Sequence, residues 1–306
     1  MFPHGIMFHH FFDAHHPRGQ GAIDADTFDR LIARYRDRIL PPDEWLRRAK
    51  AGLLRDTDVC LTFDDALRCQ VDVALPVLRA RDIQAFWFVY SSVFEGGAET
   101  LEIFRYFRTV AFTDFNHFHA EFSSCATALY PHEMRSVTNE AAAAYLTEFT
   151  FYSLEDRLYR LARDVALSTQ QYDHVLSTMM HDAAFDQQAA KEALWMNDSD
   201  LTELTSEGHA IGLHSYTHPT KIEKLPAELQ RNEYERNRQH ITLATGCAPV
   251  SIAHPCGRYN DDTLRILADL GAEVGFRASM AHGRARSLLE FPREDHANIV
   301  GTLPTR

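Results

Sequence analysis

Two adjacent carboxylates close a short apolar run, Leu61-Thr62-Phe63-Asp64-Asp65, and far downstream His214-Ser215-Tyr216-Thr217-His218 carries two imidazoles four residues apart. One of those carboxylates with the two imidazoles makes a facial set of three ligands for a divalent ion, and the other carboxylate is left to act as a base. The chemistry such a set serves is hydrolysis by an activated water. A His-x-x-x-His pair on a helical turn brings both rings to one side. Two imidazoles and one carboxylate suit a borderline-soft ion, zinc before all, with Co, Ni or Mn accepting the same ligands. The His-x-His of Asn116-His117-Phe118-His119 is too common a pattern to carry a ligand assignment.

The elements that must position these residues follow from periodicity. Gly5 to Phe11 is an apolar run interrupted by His9 and His10, read as a first strand with imidazoles at its C-terminal end. Asp26 to Tyr35 has helical spacing, and Asp58 to Phe63 is a second strand. Leu67 to Arg81 carries Val71, Leu75 and Leu78 on one face, with Pro76 imposing a kink or a late start. Ile83 to Tyr90 is aromatic and β-branched enough for a third strand. Strand, helix, strand in this order predicts parallel pairing with right-handed crossovers, and such sheets gather chemistry at the C-terminal ends of their strands. Asp64 and Asp65 lie at such an end. So does His214 after His209 to Leu213, and so do Tyr259 and Asn260 after Val250 to Ala253. The expectation is one barrel rim carrying all of them.

The middle of the chain reads as helical. Ala141 to Val165 spaces Leu154, Leu158, Leu161 and Val165 along one stripe, and Tyr172 to Met180 and Phe185 to Trp195 follow the same period. Residues 99–195 are therefore expected to form a mostly helical insertion, a lid or a homo-oligomer surface, within a domain built from 1–98 and 196–306.

Acidic residues number 43 against 31 Lys plus Arg, a formal charge of −12, so a nucleic acid is not the expected partner. No window approaches a membrane span and no secretory leader is recognisable, so a cytoplasmic protein is expected. Cys60, Cys69, Cys125, Cys247 and Cys256 form neither a zinc pattern nor a disulfide framework, and reduced thiols are expected.

The motifs resemble those of NodB-type polysaccharide deacetylases, the carbohydrate esterase family 4. Thr62-Phe63-Asp64-Asp65 matches its TFDD, His214 to His218 its H-[ST]-x-x-H, Gly208 to His214 its GHEIGxH lead-in, and Pro255-Cys256-Gly257-Arg258-Tyr259-Asn260 its PYGxYN loop. The resemblance covers roughly Gly5 to Phe94 and Thr202 to Ile299. It implies a distorted (β/α) barrel, a metal held by Asp65, His214 and His218, and Asp64 as the base that takes a proton from the attacking water. It also places backbone N–H groups at Cys256 and Gly257 as oxyanion donors, with Tyr259, Asn260 and His9 as further substrate contacts. A late-motif histidine serves the family as general acid, which points to His296, with His282 and His9 as competitors. The motif arginine that orients the base is missing, since Ala253 stands there, and Arg293 is expected to reach in instead. Cys256 and Ala210 replace a frequent aromatic and a frequent Glu.

The implied activity is hydrolysis of an N-acyl, foremost N-acetyl, group from an amino sugar, a nucleotide sugar or another sugar-containing precursor. The alternatives are a deformylase or other amide hydrolase acting on a small molecule, and a non-catalytic glycan-binding protein. Phe86-Trp87-Phe88-Val89-Tyr90 could stack on sugar faces, but core packing is the stronger expectation for most of them.

Overall fold

The structure, a computed structural model, describes residues 2–97, 99–147 and 152–303. The chain divides into two compact units, Met1–Glu99 with Ala193–Arg306, and Thr100–Glu192.

The first unit is built on seven parallel strands: β1 His4–Phe8, β2 Val59–Asp64, β3 Phe86–Val89, β4 Ala210–Leu213, β5 Ser251–Ala253, β6 Val274–Phe276 and β7 Arg293–Asp295. Their order is β6-β5-β4-β3-β2-β1-β7. The segment leading into β7 also bonds to the far edge, with Phe291 N donating to Gly275 O at 2.8 Å and Arg277 N to Phe291 O at 2.9 Å. The sheet therefore curls into a nearly closed, distorted (β/α) barrel. Its seam depends on Gly275, where a Cβ would stand 2.5 Å from the Leu289 carbonyl oxygen.

Most strand residues are buried, as parallel strands between a filled interior and an outer layer of helices require. Period-two alternation sorts their side chains. Cys60, Phe86, Phe88, Ala253, Val274 and Phe276 pack in one cluster with Phe291 and with Trp45 of helix Pro42–Ala51. Residues of the opposite parity form another aromatic stack, in which Phe63 lies 4.3 Å from Trp87 and 5.3 Å from Phe8, with Phe28 of helix Ala25–Tyr35 edge-on. Phe86 to Tyr90 are all fully buried, so these aromatics fill core and do not offer sugar faces.

Pro76 acts one turn upstream of itself. Gln70–Ala74 is wound as a π turn, with Leu75 N reaching back to Gln70 O, before helix Leu75–Arg81 begins. A proline ring crowds the carbonyl four residues earlier, and the wider turn relieves it. None of the five cysteines, all among the described residues, forms a disulfide, and Cys60 is buried on β2. No helix among the described residues is long and apolar enough to cross a membrane.

In the second unit the described residues form helices and no strands, including Thr100–Ala111, Phe115–Leu129, Leu154–Leu161 and Thr169–Asp182. Its core is aromatic: Phe118, Phe122 and Tyr159 meet edge to face, and Tyr159 shares a 2.7 Å hydrogen bond with Tyr172. The single long helix expected over Ala141 to Val165 is not formed. Asn139–Ala143 ends in a turn where Leu146 has φ 52°, and a new helix starts from a capping box between Ser153 and Asp156. That local cap outcompetes continuation, and the buried face is Tyr159, Leu161 and Ala162, while Leu154 and Val165 are exposed. Residues 148–151 of that span lie outside the described residues. His117 and His119 fall on one helix two residues apart, so their rings diverge.

His209, just before β4, accepts a hydrogen bond at Nδ1 from Ala85 N at 3.0 Å, and burial pushes its pKa down to about 4. Below pH 6.5 the unfolded chain therefore binds a proton that the folded chain refuses, so this contribution is complete above 6.5 and declines toward pH 4. The expected loss is about 3 kcal/mol at most. Urea unfolding of H209Q should show a shallower decline over this range, and identical slopes would exclude His209 as a source.

Candidate metal centre and active site

Parity delivers the site. Gly5 and Met7 on β1 with His9 just beyond its end, Thr62 and Asp64 on β2, and Gly212 on β4 with His214 just beyond its end share the inward side; Cβ atoms added at Gly5 and Gly212 would meet Arg293 and Thr62, and Phe88 and Ser251. Immediately after Asp64 the backbone breaks away. Asp65 has φ 77° and Ala66 φ 54°, while Asp65 N still donates to Phe88 O at 3.1 Å. Ser215, His218 and Cys256 also have positive φ, so five of the eight such non-glycine residues described flank this rim. Strain of this kind costs about 1–3 kcal/mol per residue and concentrates where a side chain must be aimed.

His214 and His218 are not on a helical turn, contrary to expectation. Residues 214–218 form a bend in which His218 N donates to Ser215 Oγ at 3.1 Å, and the two left-handed residues bring the ring centroids to 4.9 Å.

Asp65, His214 and His218 offer ligand atoms that all lie within 4.8 Å of one another. Asp65 Oδ1 is 3.4 Å from His214 Nε2 and 3.6 Å from His218 Nε2. Ligand atoms about 2.1 Å from a shared ion stand about 3.0–3.4 Å apart, so the two spacings to Asp65 fit with little adjustment. Asp65 Oδ1 is buried and accepts no hydrogen bond, an arrangement costly for a carboxylate oxygen unless a cation sits there.

The surroundings orient His214 and set the charge of Asp65. His214 Nδ1 meets Ala253 O at 2.7 Å, which places the proton on Nδ1 and leaves the Nε2 lone pair facing Asp65. Burial works to lower the His214 pKa, but the Asp64 and Asp65 carboxylates outweigh it and raise it. Burial likewise opposes ionisation of Asp65, yet His214, His218 and His9 hold it well below the usual carboxylate range.

Asp64 is clamped. Arg293, only 1% exposed, runs through the barrel interior and donates from Nη1 to Asp64 Oδ1 at 2.6 Å and from Nη2 to Oδ2 at 2.7 Å. Its path exists because residue 5 is glycine; a Cβ there would stand 3.0 Å from Arg293 Cγ. Burial would raise the Asp64 pKa, but Arg293, followed by His214, brings it below the ordinary value. His9 Nε2 stands 3.9 Å from Asp64 Oδ2 and 3.7 Å from Asp65 Oδ2.

Three expectations are corrected. His296 does not face the centre: its ring nitrogens meet Met7 O at 3.1 Å and Gly21 O at 2.9 Å, and it stacks on Phe8 outside the barrel wall. Gly257 N donates to His254 O at 2.8 Å, so of the two proposed oxyanion donors the Cys256 N–H is the one retained. Asn260 is the N-cap of helix Asp261–Asp269, accepting from Thr263 N at 2.9 Å and donating to Glu223 O at 2.9 Å; its amide serves the helix end. Tyr259 bonds Glu290 Oε1 at 3.0 Å and stacks on His254. His282 is exposed on a neighbouring loop.

Several residues that shape the site escaped the sequence argument. Asn237 accepts from His214 N at 2.9 Å and donates to Val89 O at 2.9 Å. Glu233 receives the N–H groups of Tyr216 and Thr217, pinning the bend. Tyr90 stacks on His218 and accepts from Trp195 Nε1 at 2.6 Å. A signal for Asn237 existed: in helix Ala227–Thr245 the buried stripe is Gln230, Tyr234, Asn237 and Ile241, with two amides at core spacing.

With the site described, comparison with known proteins identifies the architecture. Residues 169–275 match the model of the polysaccharide deacetylase family. No curated protein matches the sequence. Among solved structures, the Streptococcus pyogenes deacetylase PplD in complex with acetate superposes with a TM-score of 0.55 at 18% identity, covering 99% of this chain and 98% of that one. IcaB from Ammonifex degensii gives 0.54 at 14%, covering 96% and 91%, and the de-N-acetylase from Aggregatibacter actinomycetemcomitans 0.54 at 14%, covering 95% and 93%. The resemblance seen in the motifs extends to the fold: the chain has the distorted barrel of NodB-type polysaccharide deacetylases.

Proposed function

We propose that this chain is a metal-dependent hydrolase that removes an N-acyl group, N-acetyl foremost, from an amino sugar. The observation that carries the proposal is a buried carboxylate oxygen without a hydrogen-bond partner, Asp65 Oδ1, facing two imidazole nitrogens beside a second, arginine-clamped carboxylate.

Asp65, His214 and His218 would hold the ion. When bound, a divalent ion such as zinc supplies a Lewis acid that acidifies water and polarises an amide carbonyl. Asp64 stays ionised at neutral pH, and Arg293 occupies one lone pair of each of its oxygens. Oδ2 keeps its other lone pair on the side of His9 and His214, at 3.9 and 4.0 Å, where it can take a proton from the attacking water. The Cys256 N–H, on a loop held open by positive φ, is available to the carbonyl oxygen as charge develops. His9 Nε2, 28% exposed and next to both carboxylates, is placed to pass a proton to the departing amine. Two fold relatives, described as a deacetylase and a de-N-acetylase, support the choice of an N-acetyl sugar.

Protein purified without added metal should carry one divalent ion per chain, and H214A and H218A should lose it. Full occupancy in the double variant would overturn the ligand set. Release of acetate, formate or ammonia from a panel of N-acyl sugars and small amides tests the reaction; acetate from amino sugars is expected.

The two histidines should separate cleanly. H9A is expected to lower turnover by about 10²-fold, the worth of a positioned proton donor, with metal content unchanged. H296A should leave turnover per folded molecule unaltered and reduce stability, because it removes a buried ring packed on Phe8. The reverse pattern would restore the acid role to His296.

A further inference from the structure

Beside the metal centre, a cleft of about 420 Å³ opens between the loop after β5, the loop after β6 and the turn at Glu223. Arg258, Arg277 and Arg286 line it together with His282, Tyr259 and Glu223. In a chain of formal charge −12 this is a local concentration of guanidinium groups.

None of the three has a carboxylate partner, which is also true of Arg34 and Arg36, bonded to neutral oxygens; the distinguishing feature is that three such guanidiniums meet at one cleft. Elsewhere in this unit Arg48, Arg79 and Arg231 pair with acidic side chains at 2.5–3.0 Å. Among the described residues, no carboxylate oxygen lies within 4.0 Å of Arg258, Arg277 or Arg286. Arg258 and Arg286 are exposed, whereas Arg277 is 3% exposed and is held through the carbonyl oxygens of Ser279 and Gly283. A guanidinium kept out of water without an anion bears a desolvation cost that a bound anion would offset. A second, independent sign of a ligand is Glu223 Oε2, which is buried and has no hydrogen-bond partner. It would accept from a hydroxyl.

Cys256 is what links the cleft to the reaction centre. This residue, the proposed oxyanion residue, forms part of the cleft wall and lies close enough to Asp65 for that carboxylate to raise its thiol pKa, after burial.

We propose that the cleft selects an anionic amino sugar: the arginines hold a phosphate or carboxylate substituent and Glu223 a neighbouring hydroxyl, while the N-acyl group lies at the metal centre. This rests on the reading of the centre given above. Planar guanidinium forks match both anions, and their local field would counter the repulsion of an acidic protein.

The test is calorimetric titration of the metal-loaded D64N protein, and of R258A and R286A made in that background, with N-acetylglucosamine 1-phosphate, N-acetylmuramic acid and neutral N-acetylglucosamine. At least one charged sugar should bind about 10-fold or more tightly than the neutral one, and R258A and R286A should each weaken the charged sugar about 10-fold while leaving the neutral one within about 2-fold. The tighter of the two charged probes identifies the anion. Equal affinity for all three sugars would overturn the proposal. So would undiminished binding of the charged sugars by the R258A/R286A double variant, since the anion would then be held by the metal centre. Binding is read without turnover, so failure of the hydrolase reading and failure of the cleft are distinguishable.

Discussion

Turnover of D64N is expected to fall by about 10² to 10⁴-fold, with metal content unchanged. An amide keeps the shape of the carboxylate and still accepts a hydrogen bond from Arg293, but it cannot take a proton from water. The ion should remain because Asp65, and not Asp64, sits between the two imidazoles at 3.4 and 3.6 Å. In the wild type Arg293 and His214 overcome burial and hold Asp64 below the ordinary carboxylate range, so the base form is already dominant at neutral pH. Wild-type turnover by metal-loaded D64N would remove Asp64 from the mechanism, and loss of the ion would make it a ligand.

R293M should destabilise the fold by about 3–5 kcal/mol at pH 7, because it leaves a carboxylate that is only 2% exposed without its counter-ion. The pH dependence should invert. In the wild type the folded pKa of Asp64 lies below 3.8, so the pair's contribution is complete above that value and is lost as pH falls through the folded pKa. Without the guanidinium, burial raises the folded pKa, so the folded chain binds the proton first and part of the lost stability returns on acidification. Urea unfolding at pH 7 and pH 5 measures the effect. D64N/R293M should be more stable than R293M at pH 7, since the unpaired charge is gone; a double variant less stable than R293M would mean that the cost came from lost packing.

Much of the barrel was legible because its signals are local. Apolar runs ending in Asp64 or His214 mark strand ends whatever the rest of the chain does. Parallel connection by helices then forces those ends to one rim. The same locality explains the errors. His-x-x-x-His reads as a helical pair by spacing alone, whereas the bend between the left-handed Ser215 and His218 is held by Glu233, on a helix later in the chain, which accepts from Tyr216 N and Thr217 N. The break after Asn139–Ala143 was hidden because the apolar stripe continues across it, and the capping box at Ser153 decided the matter.

His9 and His296 show the division most clearly. Each directly follows a strand, and the motif resemblance favoured His296 as the acid with His9 among its competitors. Register separates them: Gly5 pairs with Arg293 and Met7 with Asp295, so His296 comes level with Phe8 and turns outward with it, while His9 is one residue further and turns inward. Residue type and spacing by themselves pointed to a two-histidine, one-carboxylate set and a neighbouring carboxylate as candidate base, on a parallel α/β scaffold. Tertiary structure alone decided which histidine reaches that base, how Arg293 finds it through the gap left by Gly5, and where three arginines without carboxylate partners gather, because side-chain direction in a barrel is set by pairing between strands far apart in the chain.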